Sequence, residues 1–202
     1  MGTLPVIVTH EWQIAALLGY LLGSIPFGLL LTKFFQAGDL RSIGSGNIGA
    51  TNVLRTGRKG LAFATLLLDG GKGAVAVLLV NYMFAPDAAI VAGMMAVIGH
   101  NFPMWLKFEG GKGVATSLGV LLALSWPAGL ATAGTWLLIA IIFRYSSLAA
   151  LVSFVVSPIY MLFLADENKA VLAVLLAVLC FVRHHENIKR LVAGEETKIG
   201  QK

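Results

Sequence analysis

The sequence is poor in charge and nearly free of cysteine. Charged residues make up 12% of the 202 positions and hydrophobic ones 57%, a balance that a water-soluble domain of this length does not sustain. The mean hydropathy of +0.83 points to a lipid bilayer as the solvent. The one cysteine, Cys180, lies inside an apolar run, so neither an intramolecular disulfide framework nor a thiolate metal cluster can form. No two histidines stand at the i,i+4 spacing of a helical metal site, and acids are outnumbered 10 to 15 by Lys and Arg, so no metal and no cofactor are expected. The formal charge of +5 is scattered over short segments between apolar runs instead of following one basic face, which argues against nucleic acid. The first ten residues carry no Lys or Arg, so a cleaved secretory leader is not expected.

A bilayer core ~30 Å thick takes roughly 20 apolar residues per helical span, so seven spans nearly exhaust the chain. Apolar runs fall at 14–35, 61–84, 88–106, 114–124, 128–143, 146–164 and 169–183. The expected fold is therefore all-α, a single polytopic membrane domain over 1–202 with about seven transmembrane helices. An outside amino terminus places Arg41, Arg55, Arg58, Lys59, Lys107, Lys112, Arg144, Arg183, Lys189, Arg190, Lys198 and Lys202 in the cytoplasm and leaves only Lys169 outside. By the positive-inside rule the carboxyl terminus is then cytoplasmic. The second run holds Asp69 and Lys72, three apart on one helical face, and a bare charge at mid-membrane costs ~2.5–3.5 kcal/mol, so the two should pair or face inward. The fourth run is long enough for only about half to two-thirds of a bilayer, so its glycine-rich start is expected below the membrane surface.

Three segments on the predicted cytoplasmic face carry the chemistry: 41–59, 99–117 and 183–198. The first strings Gly44, Ser45, Gly46, Asn47, Gly49, Thr51 and Asn52 ahead of Arg55, a mixture of backbone freedom, neutral donors and a guanidinium suited to cradling an anion. The second runs Gly110, Gly111, Lys112 and Gly113 straight into a helix that begins near Val114 and carries Thr116, an anion site by dipole and geometry together. Its spacing is not that of a Walker A loop, so a single phosphate is implied and not a nucleoside triphosphate. The same Gly-Gly-Lys-Gly string recurs at 70–73, either as a faint internal repeat or by coincidence. In the third segment His184 and Asn187 share one helical face, while Lys189 and Arg190 can turn to anionic headgroups. His100, beside Asn101, Phe102 and Pro103, reads equally as a proton carrier or as a cap or interfacial anchor.

Taken together, Gly-Ser-Gly-Asn-x-Gly-x-Thr-Asn, Gly-His-x-Phe-Pro with Phe-x-Gly-Gly-Lys-Gly-Val-Ala-Thr, and His-x-x-Asn-Ile-x-Arg-Leu with Gly-x-Glu closely resemble the bacterial acyl-phosphate:glycerol-3-phosphate acyltransferase family, over residues 23–199. The resemblance implies transfer of a fatty acyl group from acyl phosphate to the 1-hydroxyl of sn-glycerol 3-phosphate, giving lysophosphatidic acid and phosphate, the first step of phospholipid synthesis. It implies catalytic roles for Ser45, Arg55, His184 and Asn187, with Glu195 serving site integrity. Substrate binding would fall to Gly46, Asn47, Thr51, Asn52, Gly110, Gly111, Lys112, Gly113 and Thr116, the 110–113 loop taking the phosphate of glycerol 3-phosphate. The expected partners are glycerol 3-phosphate, long-chain acyl phosphate and membrane lipids. The expected setting is a monomer in the bacterial inner membrane with its active site facing the cytoplasm.

An acyl phosphate is a mixed anhydride and already activated, so positioning can supply ~7–11 kcal/mol of the barrier without a protein nucleophile. Arg55, Lys112 and backbone N–H groups would hold the two phosphates, and Ser45 and Asn187 would orient the acyl phosphate and stabilise the oxyanion. His184 either accepts the hydroxyl proton or only binds, with a substrate phosphate oxygen taking it. A small anion transporter is the alternative of a different class, but its polar groups belong near the midplane and these lie in loops on one face. A lipid phosphatase or phosphotransferase of the metal type lacks its Asp cluster here.

Overall fold

Every regular element among residues 10–201, which this computed structural model describes, is helical. In chain order the α-helices are α1 (His10–Gly23), α2 (Phe27–Phe34), α3 (Ala50–Leu54), α4 (Lys59–Met83), α5 (Pro86–Asn101), α6 (Val114–Leu124), α7 (Trp126–Phe143), α8 (Ser146–Leu164), α9 (Glu167–Arg183) and α10 (His185–Ala193), with short 3-10 helices at Leu40–Ser42 and Met104–Leu106. The seven apolar runs expected from the sequence are largely helical, but the first is broken at 24–26 and the third at 102–103, and they are not equivalent. Five stretches are long and apolar enough to cross a membrane, His10–Phe34 among them, and a sixth arises if α9 and α10, bent by 63°, form one broken span. The remaining run, α6, has only 11 residues.

The break between α1 and α2 follows from Pro26, which has no N–H to donate and whose ring obstructs the preceding turn. Carbonyls left open there find side-chain donors from elsewhere, as a break inside a bilayer requires. Lys72 Nζ donates to the Ile25 carbonyl at 2.6 Å, and Trp105 Nε1 donates to that of Ser24 at 2.8 Å. Lys72 also pairs with Asp69 at 2.8 Å, both side chains being buried, so the two mid-span charges do pair as expected.

Small residues bring the helices together. A Cβ on Gly19 or Gly23 would lie 2.3 or 1.9 Å from the carbonyl oxygens of Ala92 and Ala96, so α1 and α5 meet backbone to backbone. Between α4 and α6 the same closeness appears, a Cβ on Gly119 falling 1.9 Å from the Gly70 carbonyl oxygen and one on Gly73 2.4 Å from that of Thr116. Close approach through small residues is how helices associate where lipid removes the hydrophobic drive. Phe63, Leu137, Ile141 and Phe163 are meanwhile exposed on the outer surface, as lipid-facing side chains would be. Gly119→Leu is accordingly expected to destabilise the protein by at least the ~1–3 kcal/mol typical of overpacking, seen as a lower melting temperature in detergent. An unchanged melting temperature would show that α6 can move off α4.

The shortness of α6 shapes the site. It turns into α7 through Ser125 alone, and at ~1.5 Å per residue its 11 residues reach about 10 Å less far than the 18 of α7. The 110–113 loop is thus recessed relative to the end of α7. The second Gly-Gly-Lys-Gly string, at 70–73, lies within continuous α4, so the two strings share sequence and not conformation.

Candidate active site

Side-chain bonds tie the three motif segments to one another at a single end of the bundle. Thr51 Oγ1 lies 3.1 Å from Ser146 Oγ at the start of α8, joining the first segment to the α7–α8 turn. Arg41 donates to the Glu109 carbonyl at 2.6 Å, joining the first segment to the second. Arg183 donates through Nε and Nη2 to the Gly111 carbonyl and through Nη2 to that of Gly110, at 2.9–3.1 Å, and stacks over the Phe102 ring. Lys112 Nζ donates to Asn187 Oδ1, completing the link from second to third.

From Asn187 the network continues into the chain's last turn. Asn187 Nδ2 donates to Glu196 Oε1 at 2.6 Å, Ser147 Oγ donates to the same oxygen at 2.7 Å, and Arg190 Nε donates to Oε2 at 2.7 Å. Three donors thus converge on the two oxygens of this carboxylate. They hold it below its usual range even though partial burial acts upward. Glu195, which the sequence pointed to for site integrity, is instead exposed. The physical reason is the left-handed Gly194, φ +73°, which ends α10 and reverses the chain so that the second acid turns inward. The motif Gly-x-Glu itself counts to Glu196, a register the sequence reading missed by one. Ser146 and Ser147 were missed, being brought in by tertiary contact from a helix start that carries no motif, and the hold of Arg183 on the glycine loop was missed although the residue stands in the third motif segment.

The glycine loop differs from expectation in what its backbone offers. The N–H groups of Gly110 and Gly111 donate to the Asn101 and His100 carbonyls at 3.1 and 3.0 Å, capping the end of α5. With both N–H groups so engaged, neither residue has a free amide donor for phosphate, and their carbonyls accept from Arg183. What these glycines supply is room, since a Cβ on Gly111 would sit 2.1 Å from His100 Nε2. The donors left to face an anion are Lys112 and the first turn of α6, which opens at Gly113 with φ +80°. Thr116 is fully buried against α4 and its hydroxyl has no partner, so it lies beneath the loop surface.

In the first segment Ser45 is exposed and Asn47 half-buried, on a chain that passes through Gly44 and Gly46 at φ +54° and +65°. Asn52 is buried; its Nδ2 donates to the Leu40 carbonyl at 2.9 Å and its Oδ1 accepts from Arg55 Nη1 at 3.5 Å. It therefore braces Arg55. His184 stands at the elbow between α9 and α10 and is 3% exposed. The Cys180 carbonyl 2.8 Å from Nδ1 can only accept, so Nδ1 carries the hydrogen and Nε2 keeps its lone pair. Burial first, then the charge of Lys112, pushes this imidazole down to about 4. His100, by contrast, belongs to the C-terminal end of α5 beneath the glycine loop.

Lys112 is lowered to about 8, chiefly by burial, with the cations Arg190, Arg183 and Arg55 adding to the effect and Glu196 opposing it. Three guanidinium groups and one acid therefore surround Lys112 in a recess, an excess of positive charge that attracts anions. Because a lysine loses its charge as pH rises through its pKa, the site weakens as an anion trap above about 8. For a phosphate substrate, kcat/KM is expected to fall along a limb near pH 8 that Lys112→Arg, with its non-titrating guanidinium, flattens; an identical limb in that variant would assign it elsewhere.

The fold and this recess describe a polytopic helical membrane enzyme with a cation-rich recess at one end of its bundle. A sequence model of the family "Glycerol-3-phosphate acyltransferase" matches residues 13–194. Relatives of that name include one from Paramagnetospirillum magneticum, 62% identical over 95% of this chain and 96% of its own length, and one from Rhodospirillum rubrum, 58% identical over 94% and 91%. Among solved structures, PlsY, an integral membrane glycerol 3-phosphate acyltransferase, is similar in its glycerol 3-phosphate form with a TM-score of 0.88 and 36% identity, covering 94% of this chain and 96% of that one. Its lysophosphatidic acid form gives a TM-score of 0.86 at 35% identity, covering 94% and 95%. The chain belongs to the glycerol-3-phosphate acyltransferase family.

Proposed function

We propose that the chain transfers a fatty acyl group from a long-chain acyl phosphate to the 1-hydroxyl of sn-glycerol 3-phosphate. The hydroxyl oxygen attacks the carbonyl carbon, the bond from that carbon to the phosphate oxygen breaks, and inorganic phosphate leaves with the electron pair. Lysophosphatidic acid remains, the product of the first step of phospholipid synthesis. The observation that carries this reading is the gathering of Arg55, Arg183, Arg190 and Glu196 about Lys112 at the start of α6, beside lipid-facing helices. Both proposed substrates are phosphate anions and one carries a long apolar chain. The PlsY structures that this chain is similar to hold glycerol 3-phosphate in one case and lysophosphatidic acid in the other.

In this reading Lys112, seated at the start of α6, takes the phosphate of glycerol 3-phosphate, and Arg55 takes that of the acyl donor. Ser45, Asn47, Thr51 and Gly46 line the donor side, while Asn52 braces Arg55. Asn187 orients Lys112 and faces the developing oxyanion. An imidazole held near 4 is neutral at physiological pH but a poor proton acceptor, which favours His184 Nε2 as a hydrogen-bond acceptor that aims the hydroxyl while a phosphate oxygen takes the proton. The lopsided placement of Lys and Arg supports a cytoplasmic site, an outside amino terminus and a setting in the bacterial inner membrane, with the monomer among its lipids as the working unit.

Oxygen-18 in the 1-hydroxyl tests the bond that forms. The label is expected in the ester of lysophosphatidic acid and absent from released phosphate. A glycerol bisphosphate and a free fatty acid would instead mean attack at phosphorus, and the enzyme would be a phosphotransferase.

A further inference from the structure

Asp69, Lys72 and His100 take no part in the chemistry above, yet they are buried charged and titratable groups at the base of the glycine loop. Asp69 and Lys72 come from the middle of α4 and His100 from the last turn of α5. Lys72 Nζ is 2.8 Å from Asp69 Oδ1 and donates to the Ile25 carbonyl at the break between α1 and α2. His100 Nδ1 lies 3.7 Å from the same Asp69 oxygen, too far for a hydrogen bond, and is otherwise without a partner. The opposite edge of the ring, Nε2, lies 2.1 Å from where a Gly111 Cβ would project, so the imidazole fills the space beneath that residue. The His100 carbonyl accepts from the Gly111 N–H, and Arg183 grips the Gly111 carbonyl from the far side. Gly111 is thus held from below by His100 and by Arg183 through its carbonyl, and Lys112 is the next residue. A ring supported by a buried ion pair that also pins the α1–α2 break cannot sink or tilt without disturbing three helices.

We propose that Asp69, Lys72 and His100 are positioning residues that set the height of the 110–113 loop, and through it the place of Lys112, by wedging the His100 ring between the α4 ion pair and Gly111. The proposal rests on the reading of Lys112 as the group that binds the phosphate of glycerol 3-phosphate. A wedge of this kind acts on substrate affinity, because a displaced Lys112 loses part of its charge-assisted bond to the phosphate.

The test is a double-mutant cycle on the purified full-length protein, read as KM and kcat for glycerol 3-phosphate with melting temperature as a control. His100→Ala is expected to raise KM about tenfold with kcat changed less than about threefold, since Lys112 shifts while the donor side stays in place. Gly111→Ala is expected to raise it further, its methyl group colliding with the ring. In the double variant the methyl occupies the space the ring vacated, so KM should return to or below that of His100→Ala alone. Overturning results are an unchanged KM in His100→Ala, or a Gly111→Ala defect of the same size with and without the ring. If His100→Ala does not yield a monodisperse sample, the cycle run with His100→Asn is judged by the same two criteria. Lys112→Ala keeps the two readings apart. An unchanged KM there would sink the phosphate assignment, while rescue in the double variant, read as product formed, would still decide for or against the wedge.

Discussion

Glu196→Ala is expected to lower kcat/KM by roughly 100-fold and stability by about 2 kcal/mol, while Glu195→Ala changes either only within experimental scatter. Glu196 accepts from Ser147, Asn187 and Arg190, and Asn187 in turn receives Lys112, so one carboxylate fixes the last turn of the chain, the start of α8 and the phosphate-binding lysine. Truncating it leaves a guanidinium and two neutral donors without their acceptor. Water reaches the Arg190 side, which is 35% exposed, and limits the loss of stability. The loss of activity is larger because Lys112 and Asn187 lose their common anchor. Glu196→Gln, which keeps an acceptor oxygen, should fall between the two. Equal defects at positions 195 and 196 would show that Glu196 is not the hub.

Lys112→Ala is expected to raise KM for glycerol 3-phosphate about 10- to 100-fold, with a smaller effect on kcat, because a charge-assisted bond to phosphate contributes ~1.5–3 kcal/mol. Lys112→Arg should recover part of this, since the recess is shaped for one compact ammonium facing Asn187. A loss confined to kcat would move Lys112 from phosphate binding to the reacting carbonyl.

Most of the architecture was legible because lipid enforces a simple code. Runs of apolar residues had to be helices, and the cost of bare charges in a bilayer required Asp69 and Lys72 to pair or face inward, of which the structure displays a buried pair. The 11-residue length of α6 announced the recess. The break at Pro26 was visible in the residue but was read as part of one span, because the donors that make it tolerable, Lys72 and Trp105, lie 47 and 81 residues away. Motif loops stood out as polar, glycine-rich islands, and the structure brings all three together. Their detailed work was less legible. That Gly110 and Gly111 cap α5 depends on how the chain folds back after Lys107 and Phe108, two consecutive left-handed residues at φ +54° and +65° with no glycine to signal them. Glu196 rather than Glu195 faces inward because of a single reversal at Gly194, and a side-chain direction after such a reversal is set by tertiary packing. Arg183 read only as one of the cytoplasmic basic residues, because its clamp on the glycine carbonyls spans more than 70 residues of sequence.

The central claim is that this recess receives an acyl phosphate. It is tested most directly by supplying the purified protein with glycerol 3-phosphate and, in parallel, long-chain acyl phosphate, acyl-CoA and acyl-carrier-protein thioester. Lysophosphatidic acid formed from acyl phosphate alone, with one inorganic phosphate released per product, is the predicted result. Product from a thioester with none from acyl phosphate would contradict it.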